Sequence, residues 1–440
     1  MLQNKLFMVS AVVLMSALLN NTAMAKKAPK VNICHLDKEL GEFVLINVSE
    51  KAVEKHLANH GDFLPEGDTC DQSSTELGSD LLVGQNLYWS NSNNVALLLN
   101  SGIGDATFTS SSVSTWSGIG PIRVADFNGD GNDDFVASHS SFGANLIGIG
   151  DGAGGFIVSD TNIKADPAQG ASQIEIADVN GDENLDMVMA VSGWYRGLLV
   201  ALGDGTGAFS EAVYLNTWGG TRSADTGDID GDGKVDIAIS SAQGSHSAQV
   251  FWGDGSGANF DMTYIEANTG NVGTAVVDVD GDGDLDVVTG GLGGNSSGTL
   301  RVHLNPGDKS RTFTTNQYGA VQGSLHFLMD VDGDGAPDAV TTGVVGAGAY
   351  EVVIYLNDGN GAFDTSSPQR YPLPNSYVLC GGCDATQGDF NEDGVADLAF
   401  ANGSSGTVSI LLGDGNGSFQ APQVVSGLTR TVSIAAGNFD

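Results

Sequence analysis

Residues 228–236 read DIDGDGKVD, and close variants of this acidic nonapeptide occur five more times along the chain. The other copies are DFNGDGNDD (126–134), DVNGDENLD (178–186), DVDGDGDLD (278–286), DVDGDGAPD (330–338) and DFNEDGVAD (389–397). The first residues of successive copies lie 52, 50, 50, 52 and 59 residues apart. A regular period near fifty residues indicates an array of one supersecondary unit. The six copies are called acidic loops 1 to 6 below, in chain order.

The composition of these loops predicts a site for a hard cation. Oxygen-bearing side chains stand at positions 1, 3, 5 and 9, and Ca²⁺ takes six to eight oxygen ligands of this kind. The backbone carbonyl of position 7 would complete the shell, and glycine at position 6 permits a sharp turn, although loop 2 has Glu183 there. The alternative is a plain acidic surface turn, in which several close carboxylates would repel one another.

The expected metal ligands, with position 7 contributing only its carbonyl, are listed here by loop. They are Asp126, Asn128, Asp130, Asn132 and Asp134 in loop 1; Asp178, Asn180, Asp182, Asn184 and Asp186 in loop 2; Asp228, Asp230, Asp232, Lys234 and Asp236 in loop 3; Asp278, Asp280, Asp282, Asp284 and Asp286 in loop 4; Asp330, Asp332, Asp334, Ala336 and Asp338 in loop 5; and Asp389, Asn391, Asp393, Val395 and Asp397 in loop 6.

The flanking sequence excludes an EF-hand. An EF-hand needs a bidentate Glu at position 12, whereas the six copies have Ala, Met, Ile, Thr, Thr and Phe there. Short apolar runs rich in β-branched residues stand on both sides of each loop, as in TAVVD before loop 4 and DVVTG at its end. Such runs bounded by turn signals predict β-strands, so each loop connects two strands of a hairpin.

A second landmark, a turn followed by Phe, recurs once in each repeat. Asp-Gly dipeptides of this kind favour a tight hairpin turn. The Phe residues are Phe108, Phe156, Phe209, Phe260, Phe313, Phe363 and Phe419. Each repeat therefore holds four strands, A to D, with the acidic loop between A and B and the Phe-ended turn between C and D. Repeated four-stranded units are typical of a β-propeller.

The count of landmarks predicts seven blades and a ring closed by the chain ends. Residues 80–108 align with strands B, C and D, and VSIAAGNFD (432–440) aligns with strand A and the start of an acidic loop. Joining them would place Asn438 and Asp440 at positions 1 and 3 of a seventh site, with Asp80 at position 9 and Glu76 near position 5. The alternative is a sequence that stops within a repeat.

These loops, each followed by an apolar strand and a later GDGxGxF turn, resemble the FG-GAP-like (VCBS-type) repeats, which are related to the calcium-bearing blades of integrin α-subunit propellers. The resemblance covers about residues 80–440. It implies a β-propeller with structural Ca²⁺ held by positions 1, 3, 5 and 9 of each loop. It implies little about what is bound, because the Phe-Gly/Gly-Ala-Pro signature and an inserted ligand-binding domain are not evident.

The N-terminus and the composition indicate an exported protein. Residues 1–25 combine Lys5, an apolar core and Ala23-Met24-Ala25, which is typical of a secretory signal peptide. No other stretch has the ~20 apolar residues of a spanning helix. The net charge is −37, and the six loops hold 25 of the 54 acidic residues. Nucleic acid is a poor partner for such a surface, because phosphate contacts need Lys and Arg.

Residues 26–75 do not follow the repeat and predict a small α+β segment before the propeller at 76–440. VNICH (31–35) and EFVLINV (42–48) predict strands, and Ser49 caps a predicted helix that Gly61 ends. His56 and His60, spaced four residues apart on that helix, could join Cys34, His35 and Cys70 in a zinc site. The alternative is a Cys34–Cys70 disulfide, which an oxidising compartment favours. Cys380 and Cys383 predict a local structural disulfide.

The expected function is recognition. In a four-stranded blade the A–B and C–D turns share one face, so the B–C and D–A links share the other. That second face would carry exposed aromatic and basic residues that can stack on sugars or anchor a protein partner. They are Trp116, Phe142, Trp194, Tyr195, Arg196 and Trp218. Rings that fill gaps between blades are the alternative.

We therefore expect a secreted, monomeric, calcium-binding adhesion or recognition module for extracellular glycan or protein ligands. No nucleophile elbow, HExxH motif or Ser/His/Asp constellation is evident, so we expect no enzymatic activity. A propeller domain of a secreted enzyme and a passive scaffold of a surface assembly remain as alternatives, because a fold alone does not set function.

Overall fold

The structure is a computed structural model. It describes residues 30–37, 42–49, 79–85, 94–102, 104–115, 119–139, 144–164, 171–191, 197–217, 219–241, 248–266, 273–291, 298–321, 323–345, 349–374 and 384–440. Every regular element in these ranges is a β-strand. None of them contains a helix long and apolar enough to cross a membrane. The chain divides into two units, residues 1–75 and 76–440.

In the first unit, β1 (Lys30–Asp37) pairs antiparallel with β2 (Glu42–Ser49). Both predicted strands are confirmed, with Cys34 opposite Leu45 in the register. The predicted helix with His56 and His60, and Cys70, lie outside the described residues. The choice between a disulfide and a zinc site therefore stays open, as does the predicted Cys380–Cys383 bridge, which also lies outside them.

The second unit is a seven-bladed β-propeller of four-stranded antiparallel sheets, which confirms the predicted fold class. The strands, blade by blade, are as follows: blade 1, β30 (Thr431–Gly437), β3 (Asp80–Gln85), β4 (Asn94–Asn100), β5 (Phe108–Ser114); blade 2, β6 (Ile119–Ala125), β7 (Asp134–His139), β8 (Ala144–Gly150), β9 (Phe156–Lys164); blade 3, β10 (Ala171–Ala177), β11 (Asp186–Val191), β12 (Gly197–Ala201), β13 (Val213–Asn216); blade 4, β14 (Thr221–Gly227), β15 (Asp236–Ser241), β16 (Ala248–Gly253), β17 (Phe260–Glu266); blade 5, β18 (Gly273–Val277), β19 (Asp286–Gly291), β20 (Gly298–Leu304), β21 (Thr314–Val321); blade 6, β22 (Ser324–Met329), β23 (Asp338–Val345), β24 (Ala349–Tyr355), β25 (Gln369–Leu373); blade 7, β26 (Ala385–Gly388), β27 (Asp397–Ala401), β28 (Val408–Leu411), β29 (Gln423–Val425).

Each acidic loop closes the hairpin between strands A and B of its blade. Strand A ends at the residue before position 1, and strand B begins at the position 9 aspartate. The two bounding residues pair across the hairpin, as Val277 does with Asp286 in blade 5. The blade that contains the chain ends repeats this register, with Gly437 opposite Asp80. Strand β30 therefore stands where strand A stands in the other six blades.

The apolar cores lie between neighbouring blades. Strands B and C are buried along their whole length in blades 3 and 4, because both faces of these inner sheets are covered. One such cluster joins Leu82 and Val95 of blade 1 to Phe135 and Leu146 of blade 2. Each blade is thus stabilised mainly by its neighbours, and the ring is stabilised as a whole.

The A strands of most successive blades touch one another and form the inner wall of the ring. Their free edges would leave backbone N–H groups without partners. Polar side chains of the preceding blade accept hydrogen bonds from several of these groups. The Oγ of Ser433 accepts from the N–H of Ile122 at 2.9 Å, and the Oγ of Ser223 accepts from that of Thr274 at 3.0 Å. These contacts tie blades together without a metal.

Candidate metal centres

The position 9 carboxylates are buried and bridge two turns of the same blade. In loop 4, Asp286 is fully buried, and its Oδ2 accepts the backbone N–H of Val279 at 3.0 Å. Its Oδ1 accepts the backbone N–H of Asn305, in the C–D turn, at 2.7 Å. The equivalent pair of bonds is present in all six loops. The A–B and C–D turns therefore lie on the same face, as the sequence predicted.

Backbone N–H groups hold the remaining carboxylates of each loop in place. In loop 5, the Oδ1 of Asp330 accepts from Gly333 at 2.7 Å and its Oδ2 accepts from Gly335 at 2.9 Å. The Oδ1 of Asp334 accepts from the N–H of Ala336 at 2.8 Å. Each loop curls around its first aspartate, so the side chains of positions 1, 3 and 5 are brought to the same side of a tight turn.

Three loops bring three carboxylates within reach of a single ion. In these loops, one oxygen from each of three aspartates lies within 4.8 Å of the others. The groups are Asp228, Asp230 and Asp236; Asp278, Asp280 and Asp282; and Asp330, Asp332 and Asp338. All three loops have Asp at position 3. Loops 1, 2 and 6 have Asn there instead, and its side-chain amide donates to the position 5 carboxylate at 3.0 Å.

Burial and mutual repulsion both disfavour the charged form of these acids. Burial is the largest cause of the raised pKa of the position 9 carboxyls, and neighbouring loop acids add to it while the two backbone hydrogen bonds oppose it. The pKa is about 7 for Asp286 and about 6 for Asp186, Asp236, Asp338 and Asp397. The pKa of Asp134 is also raised. A bound cation would stabilise the charged form of every one of them.

Loop 4 contains a carboxylate oxygen that lacks a partner. The Oδ1 of Asp280, at position 3, is buried and has no hydrogen-bond partner among the described residues. Burial raises the pKa of this carboxyl, and the nearby Asp282 and Asp278 raise it further. Buried polar atoms are normally satisfied. The side chains nearby that could bind a metal are all carboxylates. The site therefore fits a hard cation such as Ca²⁺ and has no thiolate for a soft metal.

Each acidic loop packs against the C–D turn of the next blade. The side-chain amide of Asn357 donates to the backbone carbonyl of Val279, at position 2 of loop 4, at 2.8 Å. Equivalent contacts reach position 2 from Asn305, Asn100 and the backbone N–H of Gly207. The Phe that follows this turn packs at the same junction. Phe363 packs with Val279 in one core cluster, so the loops and the Phe landmarks together form the blade junctions.

Blade 1 reproduces part of this arrangement across the chain ends. The fully buried Asp80 accepts the backbone N–H of Asn100 at 2.6 Å and that of Phe439 at 2.9 Å, like a position 9 aspartate. Burial raises the pKa of Asp80 to about 6, with Asp440 and Asp133 adding to the shift. Glu76 lies outside the described residues. Metal binding at this seventh position therefore stays a prediction.

The six residues predicted to form a recognition face lie outside the described residues. They are Trp116, Phe142, Trp194, Tyr195, Arg196 and Trp218. In the sequence, all of them stand between strands B and C or between strands D and A. The prediction for that face is therefore untested by the structure.

One charged cluster in the inner ring was missed by the sequence analysis. Arg123 lies 3.2 Å from Glu175 and 3.3 Å from Asp384, and so links three blades. Asp225 lies nearby, and its pKa is raised to about 7 by burial and by the charge of Glu175. The signal was present in the repeat, because Arg123, Glu175 and Asp225 each precede the first aspartate of an acidic loop by three residues.

Comparison with known proteins identifies FG-GAP-like repeats in the chain and shows its fold. The FG-GAP-like repeat matches residues 126–189, 178–239, 230–289 and 389–440. No curated protein sequence matches the chain significantly. Among solved structures, a Bacteroides fragilis protein provisionally assigned as a 6-phosphogluconolactonase has a TM-score of 0.56 at 14% identity, covering 83% of this chain and 99% of its own.

Two further solved structures show the same fold. The periplasmic gluconolactonase of Pseudomonas aeruginosa has a TM-score of 0.54 at 12% identity, covering 82% of this chain and 99% of its own. A Desulfotomaculum acetoxidans protein of unknown function has a TM-score of 0.54 at 10% identity, covering 82% of this chain and 100% of its own. At these identities the likeness concerns the architecture of the propeller.

Proposed function

Because the chain contains FG-GAP-like repeats in a seven-bladed propeller, we propose that it is an exported β-propeller recognition module stabilised by Ca²⁺. The observation that carries the calcium assignment is the oxygen-only set of ligands in loop 4, which includes Asp280, whose buried Oδ1 has no hydrogen-bond partner among the described residues. Residues 1–25, which have the pattern of a signal peptide, support export. Extracellular sites of this kind work at millimolar calcium.

The ions would hold blades rather than perform chemistry. Side chains at positions 1 and 3 would bind the ion together with position 5 in loop 4 and position 9 in loop 5, and position 9 would also hold every loop against the C–D turn of its blade. Because each loop also contacts the next blade, calcium would stabilise the junctions between blades. This role needs no open coordination position, unlike that of a catalytic metal.

Recognition belongs to the face opposite the acidic loops. That face carries the B–C and D–A links, where Trp194, Tyr195 and Trp218 stand in the sequence. Aromatic rings beside polar groups suit glycan stacking or a protein hot spot. We therefore place the extracellular ligand, a glycan or a protein, on this face of a monomeric propeller.

A glycan array and binding to intact cell surfaces, with and without Ca²⁺, test the recognition role. We expect binding that requires calcium and that is abolished in the Trp194→Ala, Trp218→Ala double variant. The calcium-dependent melting curve of that variant should stay close to that of the unaltered protein. Exposed Tyr214→Ala serves as the matched control. Unfolding of the double variant would instead place these rings in the core and remove the support for this face.

A lactonase is the enzymatic alternative that the fold comparison favours, since a gluconolactonase shares the propeller. In this chain the inner-ring cluster offers Asp225, whose pKa near 7 suits a general acid or base. Hydrolysis of gluconolactone or its 6-phosphate by the purified protein, lost in Asp225→Asn, would replace the recognition proposal with this one. Rates equal to the uncatalysed background in both proteins would exclude it.

A further inference from the structure

Loops 3 and 4 share the same motif but differ in what surrounds position 3. In loop 4, the buried Oδ1 of Asp280 has no hydrogen-bond partner among the described residues. In loop 3, the guanidinium of Arg311 binds Asp230. Its Nε lies 2.8 Å from Oδ2 of Asp230, and its Nη2 lies 2.7 Å from the same oxygen. The Asp230 side chain is only 6% exposed. The two loops have the same acids at positions 1, 3, 5 and 9, but the position 3 carboxylate is already paired with a positive charge in loop 3 only.

Arg311 is held in this position by the neighbouring blade. It stands in the C–D turn of blade 5, NPGDKSRTF (305–313), which lacks the DGxG sequence found in the turns of blades 2, 3, 4, 6 and 7. Its guanidinium lies 4.8 Å from the ring centroid of Trp252, a buried side chain of blade 4, in a cation–π contact. Lys309 and Arg311 both have positive φ, 59° and 57°. This conformation is uncommon for non-glycine residues, and the contact with Trp252 holds the guanidinium beside loop 3.

Further positive charges surround the same loop. The Nζ of Lys234 lies 3.1 Å from Oδ2 of Asp232, and the Nζ of Lys309 donates to the backbone carbonyl of Gly231 at 2.6 Å. Three cations therefore face the four carboxylates of loop 3. Loop 4 has five carboxylates in the same nine residues, and within the described residues its acids form no ion pair. A divalent ion entering loop 3 would be repelled by a charge that loop 4 lacks.

We propose that acidic loop 3 is not a calcium site in the native protein, because the Arg311 guanidinium takes the cation's place on Asp230. The junction between blades 4 and 5 is then held by an arginine–carboxylate pair and stays closed when calcium is removed. This inference rests on the proposed function, in that loops such as 4 and 5 bind calcium. The carboxylates of Asp228, Asp230 and Asp236 still converge within 4.8 Å. Removal of the arginine would therefore uncover a calcium site.

Isothermal titration of the metal-stripped full chain with CaCl₂ tests this proposal. We expect Arg311→Gln to bind one more Ca²⁺ per chain than the unaltered protein. Arg370→Gln is the matched control, because Arg370 pairs with Glu351 in blade 6, away from any acidic loop. It should leave the stoichiometry unchanged. Equal, non-zero stoichiometry in all three proteins would overturn this inference alone, whereas no binding in any of them would overturn the proposed function itself.

A second pair of variants keeps the test decisive if Arg311→Gln does not fold. Asp228→Ala and Asp278→Ala remove the same position 1 carboxylate from loops 3 and 4. We expect Asp278→Ala to lose one bound Ca²⁺ and Asp228→Ala to lose none. A loss of one ion in both variants would contradict the proposal and would show that loop 3 binds calcium despite Arg311.

Discussion

At the scale of single residues, the carboxylates at positions 5 and 9 of an acidic loop differ in what they bind. Asp286, at position 9 of loop 4, is fully buried and accepts N–H groups from two separate turns. Asp282, at position 5, is exposed and accepts the N–H of Asp284, two residues away, so its backbone contact is local to the loop. The first holds the blade together in any solution, whereas the second matters chiefly when a cation is present.

Alanine substitution should separate these two roles. In EDTA, Asp286→Ala leaves two buried N–H groups unsatisfied, and we expect a loss of about 2–5 kcal/mol of unfolding free energy. Asp282→Ala should cost less than about 1 kcal/mol in EDTA, and with Ca²⁺ at tenfold its Kd it should lose about 1.4 kcal/mol more. Urea unfolding in both buffers measures the difference. Equal losses for the two variants in EDTA would contradict the assignment.

The raised carboxyl pKa values predict how the metal-free protein responds to pH. The pKa is about 6 or 7 in the folded protein for Asp80 and five position 9 acids, against 3.8 for the ordinary group. Between pH 4 and 7 the folded state therefore holds more of these protons than the unfolded state. Stability must then fall as pH rises through this window. His303 and His326 oppose this trend, because burial lowers their pKa to about 4, but they are outnumbered.

We therefore expect the melting temperature in EDTA to be lower at pH 7.5 than at pH 5. With excess Ca²⁺ the order should reverse, because the ion binds the deprotonated carboxylates and its binding strengthens as they lose protons. Differential scanning calorimetry at both pH values measures this. A melting temperature in EDTA that rises from pH 5 to pH 7.5 would show that the buried position 9 acids do not dominate the titration.

At the scale of elements, the unit that matters is the junction between an acidic loop and the C–D turn of the next blade. The aromatic ring after the turn packs on position 2 of the loop. Phe209 meets Phe127 edge-on with ring centroids 5.8 Å apart, and Phe156 meets Phe439 at 5.5 Å. Where position 2 is Val or Ile, the Phe ring packs against that aliphatic side chain instead. The two landmarks of the repeat are thus two halves of one interface.

Strand β30 completes the inner wall, and its removal should open the ring. Deleting residues 431–440 leaves blade 1 with three strands and removes Ile434 and Phe439 from two core clusters. The free edge of β3 would then be open to pairing with other chains. We expect dimers or aggregates by light scattering and a large drop in melting temperature. The exposed Val424→Ala is the control. A truncated chain that stays monomeric and melts unchanged would show that β30 is dispensable.

Sequence reasoning reached the strands and loops because both have strong local signals. The six acidic loops fix the boundaries of strands A and B, and the Phe-ended turns fix those of C and D. It did not find the Arg123 cluster, because the shared repeat position of Arg123, Glu175 and Asp225 does not reveal that their side chains come together across blade boundaries. It also treated loop 3 as equivalent to loop 4, because the contact of Arg311 with Asp230 crosses a blade boundary and leaves no trace in the motif itself.

At the scale of the whole molecule, the acidic loops concentrate negative charge on one face of the ring. They hold 25 of the 54 acidic residues of a chain whose net charge is −37. Self-repulsion of this kind destabilises a compact state. The apolar cores between blades and the inner-wall hydrogen bonds act against it in any buffer. Bound cations would neutralise the face directly, so the folded ring and the bound calcium should stabilise each other.

The melting temperature of the full chain with and without calcium is the direct test of whether calcium stabilises the propeller. At a free Ca²⁺ concentration tenfold above Kd, each site adds about 1.4 kcal/mol, so five sites add about 7.0 kcal/mol and six add about 8.4 kcal/mol. For a domain of this size that corresponds to a shift on the order of 10 °C. We predict a fall of this size in EDTA and full recovery when Ca²⁺ is restored. Superimposable melting curves in EDTA and in Ca²⁺ would contradict the claim that calcium stabilises the propeller.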